Sequence, residues 1–143
     1  MILKVFSALL FIFFSTNICF ADTTVQTPQA VTAQITAQQA ITTPQNIAYA
    51  NCTKMFTVNK EKLFYLTLGG ISANNFTIEE IQTENGYVIF SAAENKYLAT
   101  IAGIDAQNSI LKITPCNDIY FFPPGIFLNM FRYIDLNINT SVN

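Results

Sequence analysis

The sequence predicts an α+β fold: an antiparallel four- to five-stranded meander with an N-terminal and a C-terminal helix packed on one face. Three observations carry this expectation. Leu63, Phe64, Leu66, Leu68 and Ile71 recur at spacings of three and four, the mark of a helix with one buried face. Between residues 76 and 114 the grammar changes to short β-rich runs separated by turn residues. Phe127, Met130, Phe131, Ile134 and Ile138 then return to helical spacing.

Each element has its own local reason. Met55, Phe56 and Val58 suit a short opening strand. Asn59 is placed to cap the first helix, and Glu61 lies near its positive end. Gly69 and Gly70 weaken the last turn unless they admit the close approach of another element. Asn74-Asn75 is the outer limit of this helix, because Asn tolerates a left-handed stop. Residues 76–83 form a mixed strand signal around Ile78 and Ile81. Glu84-Asn85-Gly86 is a turn, with Asn-Gly a strong hairpin cue. Residues 87–92 are rich in β-formers, and Glu94-Asn95-Lys96 reads as the next turn. Tyr97, Ala99 and Ile101 alternate against Leu98, Thr100 and Ala102. Residues 105–108 turn again, and 110–114 form a fourth strand ended by Pro115. Pro123-Pro124-Gly125 opens the last helix, since proline suits a first helical turn. Short turns between the strands favour antiparallel pairing.

Upstream of this domain, expected over 49–143, lie two further segments. Residues 1–21 read as a secretory signal: Lys4, then an apolar run over 5–14, then Cys19-Phe20-Ala21 with the cut after Ala21. A retained anchor is the alternative. Lys4 and Asp22 bracket 17 uncharged residues, at the lower edge of what spans a bilayer. Bulky Ile18 before Cys19 argues against lipid attachment. Residues 22–48 are almost entirely Thr, Gln and Ala, with Thr-Pro-Gln at 27 and again at 43. Such a segment buries too little to offset its ordering entropy, so it reads as a disordered spacer. The alternative is a segment that folds on a partner.

Composition narrows the function. Removal of 1–21 leaves 122 residues, enough for one domain and a tail. Lys4 leaves too, so six cations face nine anions. There is no basic stripe, and nucleic-acid binding is not expected. No segment after the signal is long and apolar enough to span a membrane. The expected place is therefore exported, periplasmic or secreted. Cys19 goes with the signal and leaves Cys52 and Cys116. An even pair in an oxidising compartment suggests a disulfide, the alternative being two separate thiols.

Catalytic chemistry finds little support. The chain has no His, so Ser91, Ser109 and the cysteines lack the usual base. There is no Ser-x-x-Lys, no Cys-x-x-Cys and no calcium loop, so no metal or cofactor is expected. Glu79-Glu80 is the one adjacent acid pair, and on a strand its members point to opposite faces. The expectation is no enzyme. The most unusual run is Tyr120-Phe121-Phe122, followed by Phe127. It reads either as an apolar binding lip or as a buried strand end and helix start. Three Asn-x-Ser/Thr matches, at Asn51, Asn75 and Asn139, matter only in a eukaryotic secretory pathway.

The helix followed by Asn74-Asn75-Phe76-Thr77-Ile78 and an Asn-Gly hairpin is broadly similar to small α+β modules of bacterial envelope proteins. That likeness is one of fold and implies no activity. The function expected is a non-catalytic exported domain that binds an unknown protein or envelope component. Its contacts would be a sheet face, a sheet edge or the lip. A carrier of a small apolar ligand or lipid is the alternative, with a cofactor-free carboxylate hydrolase behind it.

Overall fold

The computed structural model describes residues 40–139. The expected signal and residues 22–39 of the expected spacer lie outside the described residues. The chain runs β1 (Gln45–Asn46), a 3-10 turn (Tyr49–Cys52), β2 (Thr53–Phe56) and α1 (Lys60–Ala73). It continues through β3 (Thr77–Gln82), β4 (Tyr87–Ala92), β5 (Asn95–Gly103), β6 (Ser109–Pro115) and β7 (Phe121–Phe122) to α2 (Gly125–Asn137). The main sheet has five antiparallel strands in the order β2-β6-β5-β4-β3. The chain thus starts at one edge, crosses the sheet through α1, and returns as a meander from the other edge. This is the α+β class that the sequence predicts, with both helices on one face.

The ends of α1 follow from its sequence. The Asn59 side chain accepts the Lys62 N–H at 2.8 Å, satisfying a donor that has no partner within the helix. Asn75 takes φ +56° just beyond the last turn, and its neighbour Asn74 returns its side-chain amide to the Gly70 carbonyl. Gly69 and Gly70 do admit another element. A Cβ on Gly69 would sit 2.8 Å from the Tyr133 hydroxyl, and one on Gly70 3.4 Å from the Tyr133 ring. The bare backbone there is the seat of α2.

Between sheet and helices runs a file of seven aromatic rings. Phe76 stacks on Phe90, and Phe90 on Tyr97, at 5.7 and 5.6 Å between centroids. Tyr97 meets Phe122 edge-on at 5.3 Å. The contacts continue to Phe127, Phe131 and Phe56 at 6.3, 5.8 and 6.0 Å. Such offset and edge-on pairs add to the stabilisation from area burial alone. Leu63, Ile71, Val88, Ala99, Leu111, Ile113, Met130 and Ile134 fill the space around the rings. The buried hydroxyls of Thr67 and Ser109 are satisfied, Thr67 donating to the Leu63 carbonyl and Ser109 to the Val58 carbonyl, whereas the buried Tyr97 hydroxyl has no partner among the described residues.

Three details differ from the sequence expectation. The β4–β5 hairpin turns at Ala93-Glu94, one residue earlier than Glu94-Asn95-Lys96, with φ +45° and +64°. This two-residue turn of the primed type sets Phe90 opposite Tyr97 and keeps both on the buried face. The loop between β3 and β4 spans residues 83–86, with Gly86 at φ +70°. A Cβ on Gly86 would meet the Ile101 carbonyl at 2.6 Å, so this glycine is required twice over. The folded unit also begins before Tyr49. Gln45 and Asn46, expected within the spacer, pair as β1 with β7. Ile47 packs on the core and Ile41 against Gly125. Two isoleucines supply the burial that the Thr- and Gln-rich composition otherwise lacks.

Candidate functional site

The predicted lip divides once the chain folds. Phe122 and Phe127 are buried in the aromatic file. They are the strand end and helix start of the alternative reading. Phe121 alternates outward from Phe122 and is 57% exposed. Tyr120 is half-buried, and its ring meets that of Tyr49 edge-on at 5.8 Å. The four residues therefore form no continuous apolar surface. Only Tyr120 and Phe121 reach solvent.

The expected Cys52–Cys116 bridge is not formed, and both cysteines are free thiols. Strand register explains the separation. Thr53 pairs with Lys112, so Cys116 lies four residues further along that strand direction. Even from Cys52 that leaves a gap of about 10 Å at strand spacing, beyond the roughly 7 Å that a disulfide permits. Cys52 is buried, which pushes its thiol pKa up. Cys116 is exposed and its N–H is bonded to the Lys96 carbonyl. Desolvation raises its thiol pKa also, against the opposing pull of the Lys96 charge.

Glu79 and Glu80 are both exposed, with a register shift between Ile78 and Glu80 that makes Glu79 a bulge. Glu79 accepts from the Ser91 hydroxyl at 2.6 Å and pairs with Lys96 at 3.5 Å. The Ser91 bond first, and the Lys96 charge second, hold its carboxyl below the usual range. Glu80 accepts from the Tyr87 hydroxyl at 2.8 Å and from the Gln82 amide. That bond raises the Tyr87 pKa, because it favours the protonated phenol. Each carboxylate is thus engaged by neutral or cationic neighbours, and the two do not face one another across a cleft. No cluster of three or more metal-ligating side chains exists among the described residues. Nor is any described helix long and apolar enough to cross a membrane.

The feature that sequence reasoning left unspecified is the second face of the sheet. Both helices cover the face that carries Val88, Phe90, Tyr97, Ala99, Ile101, Leu111 and Ile113. The opposite face has no covering layer among the described residues. Its residues fall in rows set by register. One row reads Gln82, Tyr87, Thr100, Lys112, Thr53 across all five strands. Beside it runs Glu80, Ile89, Leu98, Thr114. On the other side lie Ala102, Ile110 and Met55, and Met55 is 63% exposed. Polar and apolar rows therefore alternate across the surface.

One border of this face is aromatic. Lys112 donates to the Tyr49 hydroxyl at 3.0 Å, and its ammonium lies 5.5 Å from the Tyr49 ring centre. That hydrogen bond raises the Lys112 pKa. Since Tyr49 also meets Tyr120, the sheet face is continuous with what remains of the lip. Register places Cys116 beside Lys96, just past the end of β6. The signal for this surface was present in the sequence: Ile89, Leu98 and Ile110 occupy the polar phase of an alternating pattern. These strands therefore carry apolar side chains on both of their faces.

No protein-family model matches the chain, and no curated protein matches it.

Proposed function

We propose that this chain is an exported, non-catalytic domain that binds a protein or envelope component through the open face of its sheet. The observation that carries this reading is the placement of Ile89, Leu98, Ile110 and Met55 on the face away from both helices. Export is supported by the basic start, apolar run and small residue at the cut in 1–21. The interior supports binding at the surface over carriage of an apolar ligand, because the layer between sheet and helices is filled by the aromatic file.

The test is capture from envelope extract with the full chain and with Leu98→Lys. The wild type should retain a saturable partner, and the partner should shield the exposed Cys116 thiol from a maleimide. Leu98 stands on the solvent phase, so Lys there should leave the melting temperature within a few degrees while abolishing capture. Failure to recover any saturable partner, or equal capture by both forms, would overturn the reading. Export is checked separately by intact mass, which should show a chain beginning at Asp22.

A further inference from the structure

We infer that residues 40–47 form a strap that exchanges between molecules, so that its seat on one chain also receives the strap of a second copy. The strap lies along β7 and the first turn of α2. Gln45 pairs with Phe122 and Asn46 with Phe121, a ladder only two pairs long. Ile47 extends it by donating to the Tyr120 carbonyl at 2.8 Å. At the other end Ile41 rests on Gly125, where a Cβ would stand 2.6 Å from Ile41 Cγ2 and 3.0 Å from its carbonyl oxygen. Gly125 is thus shaped to the strap. A groove of about 510 Å³ stays open beside it, lined by Ile41, Asn46, Ile47, Phe127 and Leu128 among others.

The chemistry of the seat selects its occupant. It takes a segment that is helical at Ile41 and extended at Gln45–Asn46, with two isoleucines six residues apart, one against bare helix backbone and one against the core. That is the strap's own sequence, and every copy carries it. Exchange re-forms between two chains each contact that one chain makes alone, which is the low-cost route to a dimer. The joint permits it. Ala48 is exposed, its φ of −69° and ψ of 132° lie in the extended region open to any residue, and its carbonyl accepts the Asn51 N–H at 2.9 Å, so the joint is a single accessible residue ahead of the 3-10 turn. A short tether holds its own strap at an effective concentration of order millimolar. At a chain concentration of about 10 µM, roughly one molecule in a hundred is then exchanged, and the share rises in proportion.

The experiment uses the opposed, exposed pair Asn46 and Phe121, whose positions in an antiparallel ladder lie within disulfide reach. Asn46→Cys and Phe121→Cys are made on separate chains in a Cys116→Ser background. They are mixed at high concentration and oxidised slowly, and the bond is located by peptide mass spectrometry. A covalent heterodimer joined through the two introduced thiols is expected, growing with concentration and lost when Gly125→Ala blocks the seat. The double variant on one chain is the control and should close within the chain. Closure of the control with no heterodimer between the single variants overturns exchange. Failure of the control to close overturns the strap's seating itself.

Discussion

Tyr97 carries the residue-scale consequence of a core built from rings. Its side chain is fully buried, and its hydroxyl has no hydrogen-bond partner. Burial pushes its pKa up to about 12, because the phenolate is disfavoured away from water. The folded-state value is thus raised above the ordinary value of 10. The neutral phenol's contribution to stability is present below pH 10 and is lost as the pH climbs toward 12. Replacing Tyr97 with Phe removes an unsatisfied hydroxyl and keeps the ring. The variant should be as stable as the wild type or more so, by up to about 1 kcal/mol. Its alkaline unfolding limb should also lie at higher pH. Chemical denaturation at neutral pH and a pH titration of circular dichroism check the two halves of this prediction.

At the scale of elements, the clearest lesson lies in the ends of α1 and in the β4–β5 turn. Asn59→Ala should cost about 1 kcal/mol, because the Lys62 N–H loses its acceptor. The cap was legible in the sequence because Asn followed by an acid and an apolar periodicity has a single physical meaning. The turn at Ala93-Glu94 was not legible. Neither residue favours positive φ, yet both adopt it, at a cost of roughly 1–2 kcal/mol per residue in such a conformation. Register wins because one residue of slip would turn Tyr97, Ala99 and Ile101 out of the core. Glu94→Gly should therefore stabilise the domain by about 1 kcal/mol, read as a rise in the denaturation midpoint with an unchanged slope. β1 was hidden for a different reason. Two residues of Gln-Asn in a low-complexity run carry no strand pattern, and their pairing depends on where β7 happens to lie.

For the whole molecule, layering decides what is interior and what is surface. The helical periodicities and the alternation of β4 to β6 foretold a sheet with helices on one side. What they did not foretell is which of two apolar sets each aromatic joins. Phe121 and Phe122 are neighbours of the same chemistry, and only the short ladder with β1 places one outside and the other in the core. The cysteine pairing was likewise read from compartment and count, whereas bridging is decided by distance along β6. The aromatic file makes the core a single connected unit. Phe90 is its second ring, stacked between Phe76 and Tyr97 and fully buried. Phe90→Ala should cost about 3–5 kcal/mol, a large share of the stability of a domain this size. Loss of both helices and sheet together in thermal melts would show that the file couples them; separate transitions would argue against it.

The file also has an optical consequence. The chain contains no tryptophan, and Tyr97 is the only tyrosine fully buried among the described residues. Near-ultraviolet circular dichroism depends on aromatic rings held in fixed, asymmetric surroundings. Here that signal should come chiefly from Tyr97 coupled to Phe90 and Phe122. The protein thus carries a built-in chromophore at the point where sheet, β7 and helix layer meet. Its spectrum should vanish when that junction loosens, even while the peptide signal of the secondary structure persists.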